Sequence, residues 1–287
     1  MKNKNHYFRY FISFLLLFFI TACEQEITVD LPVAAEQLVV EGKIETGQKP
    51  FVLLTKNAPY FASMDSNSIK QYTVKNAFVT INNGMQTDTM KGNNYYYVAT
   101  KMLGENGKTY TLKVVVDGKT YTSTTKINKP IPLDSVWFKV QKKDTFGFIW
   151  AHLTDPTGIG NAYRWYAKRI GKDNDFVAPM GSVFDDKFID GKSFDFGYNR
   201  GSIPDSKSPD DYKSSEENGY FKKGDVVIIK FCSISEAEYN YLRRFEMLSA
   251  SNGNPFASPS TLPTNISNNA LGLWCGYGTT FDTLLLK

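Results

Sequence analysis

His152 is the one histidine beyond the first ten residues, so any Ser-His-Asp or Cys-His arrangement would have to be built on it. Alternation puts it on the same strand face as Phe148 and Trp150, the setting of a packed or rim histidine. A zinc site would need Cys232, Cys275 and His152 to converge. Asp173-Asn174-Asp175, Asp185-Asp186 with Asp190-Gly191, and Asp210-Asp211 carry the hard oxygen donors that calcium takes, yet none has the spacing or closing glutamate of an EF-hand loop. Tight turns call for the same residue types. A carboxylate pair for glycoside cleavage depends on a separation that only the fold sets. Gly158-Ile159-Gly160 lacks the third glycine of a dinucleotide loop. These residues imply no catalytic set, no metal and no cofactor, and a non-enzymatic protein is expected. Tyr95-Tyr96-Tyr97, Tyr198 and Tyr220 have the chemistry to stack on sugars or to fill an interface.

Cys232 and Cys275 are left as an even pair if Cys23 is modified, and each sits among apolar residues. A disulfide and two separate buried thiols both fit that pattern. The formal charge of +4 includes Lys2, Lys4 and Arg9 of the first ten residues, so the remaining chain is close to neutral. Lys222-Lys223 and Arg243-Arg244 are short basic pairs of the kind found on solvated surfaces. No nucleic-acid partner is expected.

The basic start is followed by an apolar run from Tyr10 to Ile20, broken only by Ser13. This is an export signal in form, and at about half the ~20 residues of a spanning helix it is too short to remain in a membrane. Ile20-Thr21-Ala22-Cys23 resembles the lipobox of bacterial lipoproteins. That resemblance implies removal of residues 1–22, a diacylglycerol on the Cys23 thiol, and an amino terminus acylated with a chain such as palmitate. The plainer alternative is an ordinary secretory signal. Several acyl chains at ~0.8 kcal/mol per buried methylene anchor durably, whereas one chain does so only marginally. Residues 23–36 then form an acidic, proline-containing tether; Glu24, Glu26 and Asp30 resemble the surface-export signal of Bacteroidota lipoproteins or serve as a solvated linker.

What would position these groups is mostly strand. Period-two alternation from Leu38 to Ile44 marks a half-buried strand, and Phe51–Thr55 and Ala77–Ile81 are similar. Tyr110 to Val116 and Lys119 to Ile127 flank Asp117-Gly118, which predicts a hairpin with a type I′ turn and Val114 opposite Tyr121. Residues 37–128 thus read as an N-terminal β-sandwich of transthyretin-like or immunoglobulin-like type, without helical periodicity. Residues 129–132, Lys-Pro-Ile-Pro, form a linker. Residues 133–287 form a second β-rich domain, with strands at Val136–Val140, Phe146–His152, Ala162–Ala167 and a buried central one at Val226–Phe231. Ser235 with Glu238 is a capping box, Ile234 and Tyr239 are placed as a staple, and Tyr241, Phe245 and Leu248 recur at helical spacing. One helix over about 235–249, ended by Gly253 and Pro255, is expected to cover the sheet. The fold class is all-β: two tandem sandwiches, the second with a helix packed on it. Gly171 to Lys223 is rich in Gly, Asp, Lys and Ser, and is where recognition is expected.

The run Ser233–Tyr239, then Gly253-Asn254-Pro255-Phe256-Ala257-Ser258-Pro259, Asn265-Ile266 and Leu271-Gly272-Leu273-Trp274 resembles the DUF4249 family of Bacteroidota lipoproteins. Val39-Val40-Glu41-Gly42, Ala77-Phe78-Val79, Gly107-Lys108-Thr109-Tyr110 and Phe184-Asp185-Asp186 agree. The resemblance implies an outer-membrane lipoprotein associated with a TonB-dependent receptor, as an accessory or substrate-capture subunit, and assigns no catalytic residue. A fimbrillin-like structural or adhesive subunit is the alternative. The absence of arginine between Cys23 and Arg164 counts against its arginine-directed maturation. A hydrolase using acids between Gly171 and Lys223, such as Asp185 or Asp186, is the third reading.

Overall fold

The computed structural model describes residues 35–58, 70–93, 95–201, 219–251 and 261–287. The signal, Cys23, nearly all of the tether, Asp210-Asp211 and Gly253–Pro259 lie outside them. In chain order the strands are β1 (Leu38–Glu45), β2 (Phe51–Lys56), β3 (Phe78–Asn82), β4 (Thr87–Thr89), β5 (Lys91–Asn93), β6 (Tyr96–Val98), β7 (Thr109–Val116) and β8 (Lys119–Lys126). They continue as β9 (Ser135–Lys142), β10 (Phe146–Thr154), β11 (Ala162–Arg169), β12 (Val183–Asp185), β13 (Ser193–Tyr198), β14 (Phe221–Lys222) and β15 (Val226–Ile234). Helix α1 (Glu236–Ser251) and β16 (Leu271–Leu285) complete the chain. The protein is all-β, as its alternating patterns require, apart from α1 and a helical turn at 70–72.

Local chemistry sets the clearest elements. Asp117 and Gly118 take φ of 49° and 72°, so the β7–β8 turn twists with its strands, and Val114 pairs with Tyr121. β15 is apolar apart from Lys230 and Ser233 because it is covered on both faces and lies between β11 and β16.

Among the described residues three sheets result. One has eight strands in the order β12-β11-β15-β16-β1-β2-β6-β5; β4-β3-β7-β8 form a second; β13, β10 and β14, with β9 on β10, form a third. The second sheet packs on the β1–β2 half of the large sheet around Val40, Leu54, Val79, Leu112 and Trp274. The third packs on the β11–β15 half around Ile149, Leu153, Trp165, Ile229 and Phe231.

The linker at residues 129–132 therefore separates two cores without separating two units. Residues 36–287 form one compact body. The first core includes Ile266, Ala270 and Trp274 from the far end of the chain. β16 is the reason: its first half pairs in parallel with β1, Val39 opposite Leu271 through Glu45 opposite Tyr277, and its second half pairs antiparallel with β15. Glycines let it pass so close to its neighbours. A Cβ on Gly276 would lie 2.5 Å from the carbonyl oxygen of Lys126, and one on Gly278 would meet that of Asn128.

The two free thiols also reflect this register. Cys232 pairs with Thr279, four residues along β16 from Cys275, about 13 Å of strand and well beyond disulfide reach. Of the two readings open to the sequence, separate buried thiols hold. Burial pushes the Cys232 thiol up to about 12 and Cys275 well above its usual value, which leaves both unreactive.

A buried ion pair crosses β16. Lys230 of β15 lies 3.1 Å from Glu45 of β1; each is under a tenth exposed, and Lys43 sits 2.6 Å from the same carboxylate. Lys230 also lies over the rings of Tyr166 and Phe176, at 4.5 and 4.9 Å. Burial alone would raise the Glu45 carboxyl, but the two ammonium groups hold it below the ordinary carboxylate range. Its contribution is present above the unfolded carboxyl pKa and lost as pH falls through the lower folded value. Glu45→Ala is expected to cost about 3–5 kcal/mol at neutral pH by stranding Lys230. Glu45→Leu with Lys230→Met should recover most of that, and the gap to wild type should narrow on acidification. Chemical denaturation across pH checks all three.

Candidate functional site

Helix α1 opens on the capping box that its sequence announces. Ser235 N donates to Glu238 Oε2 at 2.8 Å, and Glu238 N donates to Ser235 Oγ at 3.3 Å. The other Glu238 oxygen accepts from Thr125 Oγ of β8 and from Gly276 N of β16, each at 2.6 Å. Ile234 and Tyr239 share one apolar cluster, as a staple should. The buried stripe is not the expected one. Tyr241 is buried, but Phe245 is 48% exposed, and Glu238 and Glu246 face inward instead. Glu246 accepts from Gly181 N at 2.9 Å and lies 3.1 Å from Arg164. At 100° per residue these contacts leave Tyr239 and Arg243 on one flank of the buried stripe, and Tyr241 and Phe245 on the other.

On the Tyr239 flank the second sandwich is open. β12 ends the large sheet and β13 ends its partner, so no strand among the described residues closes the edge between them. The opening is a cleft of about 420 Å³. Along β13, Phe194, Phe196 and Tyr198 alternate with Ser193, Asp195 and Gly197, which turns three rings inward. Phe184 of β12 meets Phe196 at 5.4 Å and Phe194 at 6.2 Å, both edge-on. The Tyr198 hydroxyl is anchored to Gly181 O at 3.1 Å, and burial raises its pKa. Phe188, 80% exposed, and Ile189 form the lip, and Tyr239 and Arg243 form the helical wall. Burial raises the Tyr239 phenol, with Asp185 adding to the shift and Arg243 opposing it, so both charges face this ring. Neither the Asp185 carboxylate nor the Arg243 guanidinium makes a hydrogen bond or ion pair among the described residues. Aromatic walls with an uncommitted carboxylate and guanidinium suit a ligand with flat apolar faces and polar edges.

The loops beneath the cleft are held by Asp155, Asp186 and Asp190, whose carboxylate oxygens lie within 4.8 Å of one another. Asp186 accepts from Gly160 N and Asn161 N at 2.9 and 2.8 Å, Asp190 from Gly158 N at 2.6 Å, and Asp155 from Gly191 N and the Tyr163 hydroxyl. The oxygens are of the kind calcium takes, but five N–H and O–H donors already point at them. Here the cluster works as turn chemistry, tying the β10–β11 loop to the β12–β13 loop. Sequence reading singled out Asp186 and Asp190; Asp155 joins them from a turn 31 residues earlier. Asp173 is drawn off instead by Arg169, at 2.7 Å.

His152 stands where alternation puts it, on the outer face of β10 with Phe148 and Trp150. Its Nδ1 lies 2.6 Å from Asp195 Oδ1 of β13, and register places Ser135 opposite on β9. The row has the order of a nucleophile, base and acid. It nevertheless lies on an open sheet face, His152 and Asp195 being 37% and 54% exposed, and the Ser135 hydroxyl makes no hydrogen bond to the ring. The same face carries a Trp137–Trp150 stack at 6.4 Å and Phe148 on Tyr220 at 5.4 Å.

The second sandwich thus carries an aromatic cleft at its edge, lined by Asp185 and Arg243, above loops held by Asp155, Asp186 and Asp190. The chain belongs to the DUF4249 family, a domain of unknown function, whose model matches residues 24–281. No curated protein matches the chain. Three of the segments that carry the family resemblance meet in space. Val39–Gly42 pairs residue for residue with Leu271–Trp274, and the Asn265 side chain brackets the Trp274 backbone at 2.9 and 2.8 Å. Gly253–Pro259 lies outside the described residues.

Asp186→Ala strands two backbone N–H groups and is expected to cost about 2 kcal/mol or more. Asp185→Ala should stay within about 0.5 kcal/mol of wild type. Melting curves taken with calcium and with a chelator should superimpose; a calcium-dependent rise lost in the Asp186 variant would make the cluster a metal site instead.

Proposed function

We propose that this protein is a non-enzymatic, lipid-anchored outer-membrane binding subunit that captures ligand in the aromatic cleft and serves a TonB-dependent receptor. The observation that carries the reading is the cleft itself: sandwich-core rings opened to solvent beside an uncommitted Asp185 and Arg243. That is the chemistry of recognising a sugar ring or a ligand like it. All of its lining but Tyr239 and Arg243 lies in Gly171–Lys223, where recognition is expected, and the lipobox at Cys23 with its acidic tether supplies the membrane attachment. Among the described residues no helix is long and apolar enough to cross a membrane, so anchoring in this reading rests on the lipid.

Cells fed labelled palmitate should label the wild-type chain and not Cys23→Ala, and the variant should leave the membrane fraction. Tagged protein solubilised from outer membranes should bring down a TonB-dependent receptor. Recovery of no such receptor from cross-linked membranes would end the receptor assignment. Filaments of the protein in electron micrographs would put the fimbrillin-like structural role in its place.

A further inference from the structure

The flank of α1 opposite the aromatic cleft has its own concavity, independent of the cleft and of the function proposed for it. There the large sheet runs out from under the helix, and β1, β2 and β16 floor a groove of about 300 Å³. Its surface is mostly apolar. Leu53 and Leu273 form the floor, Phe51 and Phe245 stand 37% and 48% exposed at the lips, and Tyr241 stacks on Phe245 at 6.3 Å and 6° as one wall.

Two polar groups stand in this lining without partners. The Glu41 side chain, at an exposed position of β1, makes no hydrogen bond or ion pair among the described residues, and the protein packed around it raises its carboxyl above the ordinary range. The Tyr241 hydroxyl likewise has no hydrogen bond, and burial together with the charge of Glu41 pushes its phenol up to about 12. Lys43, the groove's only cation among the described residues, is engaged elsewhere: it is 2.6 Å from Glu45, with its ammonium 5.1 Å over the Phe51 ring. An anionic ligand would meet an uncompensated carboxylate, whereas a cationic donor would find an acceptor and a phenol oxygen together.

We propose that this groove binds a small cationic amphiphile, its ammonium held by Glu41 and Tyr241 and its apolar body lying over Leu53, Leu273, Phe51 and Phe245. The volume sits at the small end of ligand pockets, which favours a compact single-chain molecule over a protein segment.

Calorimetric titration of the full mature chain with n-octylamine and, separately, with octanoate tests this. Saturable one-to-one binding of octylamine, at least tenfold tighter than octanoate, is expected. Glu41→Gln should weaken octylamine tenfold or more and abolish the discrimination. Phe245→Ser, an exposed position that leaves the fold intact, should weaken both ligands alike. Octanoate binding as tightly as octylamine would overturn the proposal. So would octylamine binding unchanged in a Glu41→Gln protein that melts like wild type, or no saturable octylamine binding at all.

Discussion

One carboxylate joins three elements that are far apart in sequence. Glu238 receives the N-terminus of α1, the hydroxyl of Thr125 on β8 and the backbone of Gly276 on β16. Burial raises its carboxyl, and three donors oppose that shift by favouring the charged form. The contact fixes where the helix begins, how it lies across the large sheet, and how closely the second sheet approaches β16. Both flanks of the helix follow from that placement. Tyr239 and Arg243 wall the aromatic cleft because Glu246 is drawn toward Gly181 and Arg164, and Tyr241 and Phe245 are left facing the groove over β1.

Much of this was legible in the sequence where the cause is local. Asp117-Gly118 dictates its hairpin because the turn's twist depends only on those two residues. Ser235 and Glu238 dictate the helix start for a similar reason, and alternation alone set His152 beside Phe148 and Trp150. The long-range part was hidden. β16 carries Gly272, Gly276 and Gly278, residues that weaken a strand taken alone, and they are required only because the backbones of Val40, Lys126 and Asn128 press against it. The prolines of the linker end one pattern and begin another, yet they could not disclose that β1 awaits Leu271 as its partner.

The cleft was half legible. The segment that holds it was recognisable as unusual, but Phe194, Phe196 and Tyr198 alternate with Ser193, Asp195 and Gly197 in so short a strand that the stretch looks polar. β12 has only three residues. The helix misled in another way: apolar spacing pointed to Phe245 as a buried contact, whereas two glutamates with partners on the sheet turned the helix away from it. Burial of a polar group with several donors can outweigh burial of a ring, and periodicity counts only the ring.

The shared strand bears on how the chain comes into being. Trp274 fills the first core and β16 supplies β1 with its parallel neighbour, so the opening half of the sequence leaves the ribosome without the piece that closes it. Contacts of such span delay compaction until β16 has been made. A nascent chain held open in that way remains threadable for as long as its last strand is missing.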